Sequence, residues 1–303
     1  DKDSPNMGFT FSTFWIKFTL SNQSQKNSLY YFVYEFPGLD KIVFYQNLQG
    51  VWKKEITGDR IPASKKKLIH RFFPIKIFPE ESSTYYIKIQ NTAAMQIPLK
   101  IYTPKAYNKN RDNGMLLFSG FFGILLIMAA YHLLIYFSTR MLSYMYYSVF
   151  LVGLIALVLS LSGFGGIYIL PNHTWFNNQG LIFGLGVAVV GLGLFLYEFL
   201  EVKYQGKYNL YLYRAILFLA IIYLICTLFL PFWIGMRVII FTIGIPLGAT
   251  LWWGISSFLQ KQKSSKYVIY GFISMILGGF IKLGQGLGFF PTTFFFDNGI
   301  YIA

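Results

Sequence analysis

The sequence predicts a protein in two parts: an all-β antiparallel sandwich over residues 1–112, then an all-α multi-pass transmembrane bundle over residues 113–303. Three observations predict it. Hydrophobic residues make up 55% of the chain and charged residues 13%, about half the share usual in a soluble domain. The charge is unevenly spread: residues 1–112 hold 17 of the 26 Lys and Arg and 9 of the 12 Asp and Glu, and the remaining 191 residues are almost uninterrupted apolar sequence. The first part alternates with period two, whereas the second runs in blocks of about 20 apolar residues, the length that crosses a bilayer as helix.

The first part reads as short strands. In "STFWIKFTL", Phe14, Ile16, Phe18 and Leu20 share one face, and Trp15, Lys17 and Thr19 the other. "SLYYFVYEF" repeats the alternation with Tyr30, Phe32, Tyr34 and Phe36. "LDKIVFYQ", "HRFFPIKI", "STYYIKIQN" and "QIPLKIYT" follow, separated by turn signals such as Pro37-Gly38 and Gly58-Asp59. Five to eight strands at this spacing argue a sandwich. No helical pattern longer than two turns is expected before residue 113.

Six full spans are expected at about 114–137, 144–163, 180–199, 215–232, 238–258 and 267–288, with a seventh starting at Gly299 and cut off by the end of the chain. The links after spans 1, 3 and 5 carry Arg140; Lys203, Lys207 and Arg214; and Lys261, Lys263 and Lys266, whereas those after spans 2 and 4 carry only Arg237. The excess of Lys and Arg places loops 1–2, 3–4 and 5–6 in the cytoplasm and the N-terminal domain outside. In span 3, Gly180, Gly184 and Ala188 form a small-xxx-small series that allows close helix approach. Pro246 predicts a kink in span 5. Intramembrane Lys282 shares a helical face with Ser274, Gly278 and Gln285. His132, Lys282 and Gln285 are therefore the candidate coupling residues; snorkelling of Lys282 and hydrogen-bonded packing of His132 are the plainer alternatives.

Catalytic patterns are absent: there is no GxSxG, HExxH, phosphate loop or Cys/His metal spacing, and the single Cys226 cannot form an internal disulfide. No catalysis, metal or cofactor is expected in this chain. The net charge of +14 and the run "TGDRIPASKKKLIHRFFPI" invite a nucleic-acid reading, but the loop count places the run outside the cell, which removes nucleic acid as a partner. The candidate ligand residues are Trp52, as a sugar-stacking ring, Asp59 as a hydroxyl acceptor, and Arg60, Lys65, Lys66, Lys67 and Arg71 as an anion contact. A solvated connector is the alternative for the basic run, core or surface packing for Trp52, and turn capping for Asp59 and for Asp40, the other carboxylate placed at a turn.

"WIKFTL", "LDKIVFYQ", "TGDRIPASKKKLIHRFFPIKI", "TYYIKIQ" and "IPLKIYT", in that order, resemble the outer domain of bacterial seven-transmembrane receptors with diverse intracellular signalling modules. "MLLFSGFFGILLIMAAYHLLIYFSTRMLSYMYYSVFL" resembles that family's first two spans, and "LSGFGGIYILPN" its outer loop after span 2; His132 departs from an Asn common in the family. The resemblance covers residues 11–303. It implies a jelly-roll-like outer domain that binds carbohydrate or another small ligand, a bacterial inner-membrane location, and a bundle that signals to a cytoplasmic module in the same chain, beyond Ala303. The expected partners are the lipid bilayer, a small extracytoplasmic sugar or anion, and that module, with homodimerisation left open. A transporter or channel with a substrate-capturing outer domain is the main alternative, and an assembly protein that docks a partner through its sandwich is the third.

Overall fold

A computed structural model describes residues 6–23, 25, 28–34, 38–48, 50–66, 72–77, 82–92, 94–259 and 270–271. The chain divides into two compact units. One comprises residues 1–118 and 160–178; the other comprises residues 119–159 and 179–303.

The first unit contains nine strands: β1 (Asn6–Phe9), β2 (Phe14–Ser21), β3 (Ser28–Tyr34), β4 (Lys41–Leu48), β5 (Val51–Thr57), β6 (Phe72–Ile77), β7 (Ser82–Gln90), β8 (Ala94–Gln96) and β9 (Leu99–Tyr102). A four-stranded sheet runs β2-β7-β4-β5, a three-stranded sheet β6-β3-β9, and a ribbon pairs β1 with β8. Every pairing is antiparallel. The two larger sheets share one core. Ile42, Phe44, Tyr85, Ile87 and Ile89 come from the first, and Phe32, Tyr34, Phe73 and Ile75 from the second. Phe44 stacks on Phe73 at 4.7 Å and Phe18 on Phe32 at 4.9 Å, so aromatic rings bridge the sheets. The predicted antiparallel sandwich is therefore present.

Three details differ from the expected pattern. The expected strand "QIPLKIYT" is cut short to β9: Gln96 ends β8, and Pro98, which lacks the N–H that a ladder needs, separates the two. β1 and β8 are too short to show alternation and were not expected. A helix also begins at Pro104, before residue 113. Proline suits a first helical turn, and Thr103 accepts at both its carbonyl (from Tyr107 N, 2.9 Å) and its Oγ1 (from Ala106 N, 3.3 Å). Pro74 survives within β6 because β6 is an edge strand.

The helices are α1 (Pro104–Thr139), α2 (Leu142–Ser162), α3 (Thr174–Phe199), α4 (Lys207–Phe229) and α5 (Phe232–Leu259). Among the described residues, α1 to α4 are each long and apolar enough to cross a membrane. α4 stops at Phe229 because Pro231 cannot continue the helix, and Ile234 N donates to the Pro231 carbonyl at 3.0 Å as α5 begins. α5 passes through Pro246, whose carbonyl accepts Thr250 Oγ1 at 2.8 Å. Leu116, Ile127, Leu134, Phe218 and Phe229 all lie exposed, as lipid-facing side chains do.

In the second unit, α2 and α3 meet backbone to backbone. A Cβ added to Gly184 would lie 2.6 Å from Leu157 N, and one added to Gly191 would lie 2.5 Å from Phe150 N. Gly153 lies against Ala188 and the Gly184 carbonyl in the same way. Gly184 and Ala188 thus make the close approach that their spacing suggested. His132 Nδ1 lies 2.7 Å from the Met128 carbonyl, and its ring packs on Tyr147 at 4.6 Å. Apart from Tyr270 and Gly271, which are helical, the sixth and seventh expected spans, with Lys282 and Gln285, fall outside the described residues.

Candidate functional site

The candidate ligand residues separate into two places on the first unit. Trp52 belongs to the outward face of the four-stranded sheet. Alternation on these strands sends Ile16, Phe18, Phe44, Ile87 and Ile89 into the core and leaves Trp15, Lys17, Tyr45, Trp52, Lys54, Tyr86 and Lys88 on the opposite face. Register then assembles one cross-strand row, Lys17–Tyr86–Tyr45–Lys54. Trp15 stacks on Tyr45 at 5.6 Å, and Trp52 meets Tyr86 edge-on at 5.5 Å. Lys88 Nζ lies 5.6 Å from the Trp15 ring centre and Lys17 Nζ 5.9 Å from that of Tyr86, within cation–π range.

This face keeps large rings in solvent: Trp15 is 57% exposed and Trp52 is 52% exposed. The strand pattern puts no carboxylate on it, because Glu55 belongs to the opposite side of β5 and is buried. The result is an aromatic platform flanked by ammonium groups. Trp15 and Lys17 were legible as outward residues in the alternation of β2. That they join Tyr45, Trp52 and Tyr86 depends on register, which no local pattern supplies.

The second place is the loop after β5. It starts at Gly58, whose φ of +138° only glycine adopts readily, and where a Cβ would collide with the Asp40 backbone. Asp59 N donates to the Leu39 carbonyl at 2.9 Å and Arg60 N to that of Asp40 at 3.3 Å, so the loop is strapped to the segment before β4. Arg60 is committed internally: its Nε lies 3.2 Å from Asp40 Oδ2, and it donates to Thr92 Oγ1 at 2.7 Å. Thr92 in turn donates to the same Asp40 oxygen from its N–H at 2.9 Å and its Oγ1 at 2.7 Å. Asp40 is thus a buried anchor rather than a turn cap.

A short 3₁₀ turn, Ala63–Lys65, follows. It leaves Lys65 exposed and Lys66 partly buried. Lys67 and Arg71 lie outside the described residues. The loop is held by the α2–α3 connection of the same unit: Ser64 N donates to Asn172 Oδ1 at 3.1 Å, and Asn177 Nδ2 to the Asp59 carbonyl at 3.3 Å. Between them lies a cavity of about 50 Å³, lined by Asp59, Lys66, Ser160 and Asn177 among others. That volume holds a few waters and is too small for a sugar. Burial of the Asp59 carboxyl, with the Asp40 carboxylate nearby, pushes its pKa from 3.8 to about 7, against the opposing pull of Arg60 and Lys66.

Trp52 and Asp59 sit far apart along this strand. From Trp52 to Thr57 the chain covers five strand rises of about 3.3 Å each before the loop begins. The structure therefore does not join the stacking ring and the Asp59 loop in one site. Among the described residues no group of three His, Cys, Asp or Glu could hold a metal ion.

Comparison with known families matches both parts of the chain. The model described as 7TM diverse intracellular signalling matches residues 114–303, and that described as 7TMR-DISM extracellular 2 matches residues 1–103. No curated protein matches the chain.

Proposed function

The chain belongs to the seven-transmembrane receptors with diverse intracellular signalling, membrane sensors with an extracellular domain, and on that premise we propose that its sandwich binds an anionic carbohydrate on the face formed by Trp15, Tyr45, Trp52 and Tyr86. The observation that carries this reading is the exposed aromatic platform bordered by Lys17, Lys54 and Lys88. The C–H face of a sugar ring packs on exposed indole and phenol rings, and ammonium groups at the edges meet its carboxylate, sulfate or phosphate.

In this reading, occupancy of the sandwich reaches a cytoplasmic output module in the same chain through a shift of packed helices. The protein resides in a bacterial inner membrane, with loops 1–2, 3–4 and 5–6 inside; the basic residues Arg140, Lys203, Lys207 and Arg214 support that orientation.

The test is binding by the full chain in lipid nanodiscs. A uronate oligosaccharide and a neutral glucan of equal length are titrated, with tryptophan fluorescence as the readout. The acidic chain binds more tightly, and added salt weakens it. Trp15→Ala and Trp52→Ala each lower affinity roughly three- to tenfold, the worth of one ring contact. Unchanged affinity in the double variant overturns the reading.

A further inference from the structure

The Asp59 cavity is not part of the ligand face, and its chemistry differs. Asp59 Oδ1 and Ser160 Oγ are both cut off from solvent, and neither has a hydrogen-bond partner among the described residues. Both line the same small cavity, where the loop after β5 meets the Ser160–Asn178 segment. Two contacts from that segment, Asn172 to Ser64 and Asn177 to Asp59, hold the loop.

We propose that Asp59 is a proton-binding site: protonated, its carboxyl closes the cavity against the Ser160–Asn178 segment, and its ionisation draws water in and loosens that contact. A neutral carboxyl can donate to a buried oxygen such as Ser160 Oγ without being solvated. A carboxylate in the same place is an under-solvated charge, and the cavity has room for the few waters that would relieve it.

The groups that set the balance are all close at hand. Burial and Asp40, from the segment before β4, oppose ionisation, while the Arg60 and Lys66 cations and the Arg60 backbone N–H, all from the loop itself, favour it; burial with Asp40 outweighs them. Tyr34 of β3 contributes the remaining titratable side chain of the lining, and its hydroxyl is already hydrogen-bonded to Thr57 Oγ1 at 3.0 Å. The Ser160–Asn178 segment contributes no titratable group to the lining. With a midpoint near neutrality, the site answers to ordinary swings of acidity on the extracellular side.

The segment that the loop grips is the end of α2 and the start of α3. A proton on Asp59 is thus a second input to the sensor, independent of any sugar. This step rests on the sensor reading only for its purpose, since the proton site itself stands or falls separately.

Infrared difference spectra of the full chain in nanodiscs, taken from pH 5 to pH 8, test it. A protonated-carboxyl band is expected to vanish with a midpoint near 7 and to be missing in Asp59→Asn. Lys66→Gln removes a cation that favours ionisation, so its midpoint moves upward. In parallel, hydrogen exchange of residues 160–178, corrected for intrinsic rates, quickens severalfold at high pH in the parent and stays slow in Asp59→Asn. A band that titrates below pH 5, or exchange equally pH-independent in parent and variant, overturns the proposal. Should Asp59→Asn fail to fold, the direction of the Lys66→Gln shift still decides. Loss of sugar binding with the proton response intact would sink the carbohydrate reading alone.

Discussion

Gly58 and Gly50 offer a paired test of how the basic loop is built. Both have positive φ, +138° at Gly58 and +88° at Gly50, so alanine at either is strained. Only Gly58 is also crowded. Its added Cβ would lie 2.7 Å from the Asp40 carbonyl carbon and 2.8 Å from Lys41 Cα, whereas Gly50 has nothing within 4 Å. Those neighbours are backbone, strapped by the Asp59–Leu39 and Arg60–Asp40 hydrogen bonds, and cannot swing aside. Gly50→Ala should cost about 1–2 kcal/mol from conformation alone. Gly58→Ala adds an overpacking term of about 1–3 kcal/mol, for a total of roughly 2–5 kcal/mol. Thermal melts of the purified full chain in detergent, followed by tryptophan fluorescence, should rank parent, Gly50→Ala and Gly58→Ala in falling order. Equal midpoints for the two variants would refute the claim that close approach to Asp40 fixes the loop.

Other outcomes follow from the same geometry. Asp40→Ala removes the acceptor of two Thr92 hydrogen bonds and should cost about 2–3 kcal/mol, whereas Arg60→Ala, at a half-exposed side chain, should cost about 1 kcal/mol; denaturant titration separates them. Gly184→Val pushes a side chain into the α2 backbone and should lower the melting point by far more than Gly248→Val, where a Cβ meets nothing within 4 Å. The raised pKa of Asp59 means the folded state holds a proton that the unfolded chain has released, so this group's stabilisation is complete below about 3.8 and lost as pH rises through about 7. At about 1.4 kcal/mol per unit the full span is roughly 4–5 kcal/mol at most, and Asp59→Asn should flatten the melting-point profile between pH 5 and 8.

The sandwich was legible because its strands are half buried. "STFWIKFTL" alternates so cleanly that the burial of β2 could be read directly, and β7 repeats the pattern. β1 and β8 escaped because three or four residues carry no period. Trp52 and Asp59 were both singled out, yet nothing local could place them on different parts of the domain. The grip on the basic loop was invisible for a related reason. Ser64 and Asn172 are 108 residues apart in sequence and Asp59 and Asn177 are 118 apart, and a single asparagine side chain leaves no signal at such range. The basic run drew notice for its charge, but its uncharged neighbours make these contacts.

The glycine seam between α2 and α3 has a mechanical consequence. At Gly153, Gly184 and Gly191 one helix rests on the peptide planes of the other, with no side-chain cushion between them. Sliding one past the other would drive carbonyls and amides into collision, whereas two helices separated by leucines could shear by exchanging rotamers. The pair therefore behaves as a single stiff plank. Whatever tilts one helix must carry the other with it.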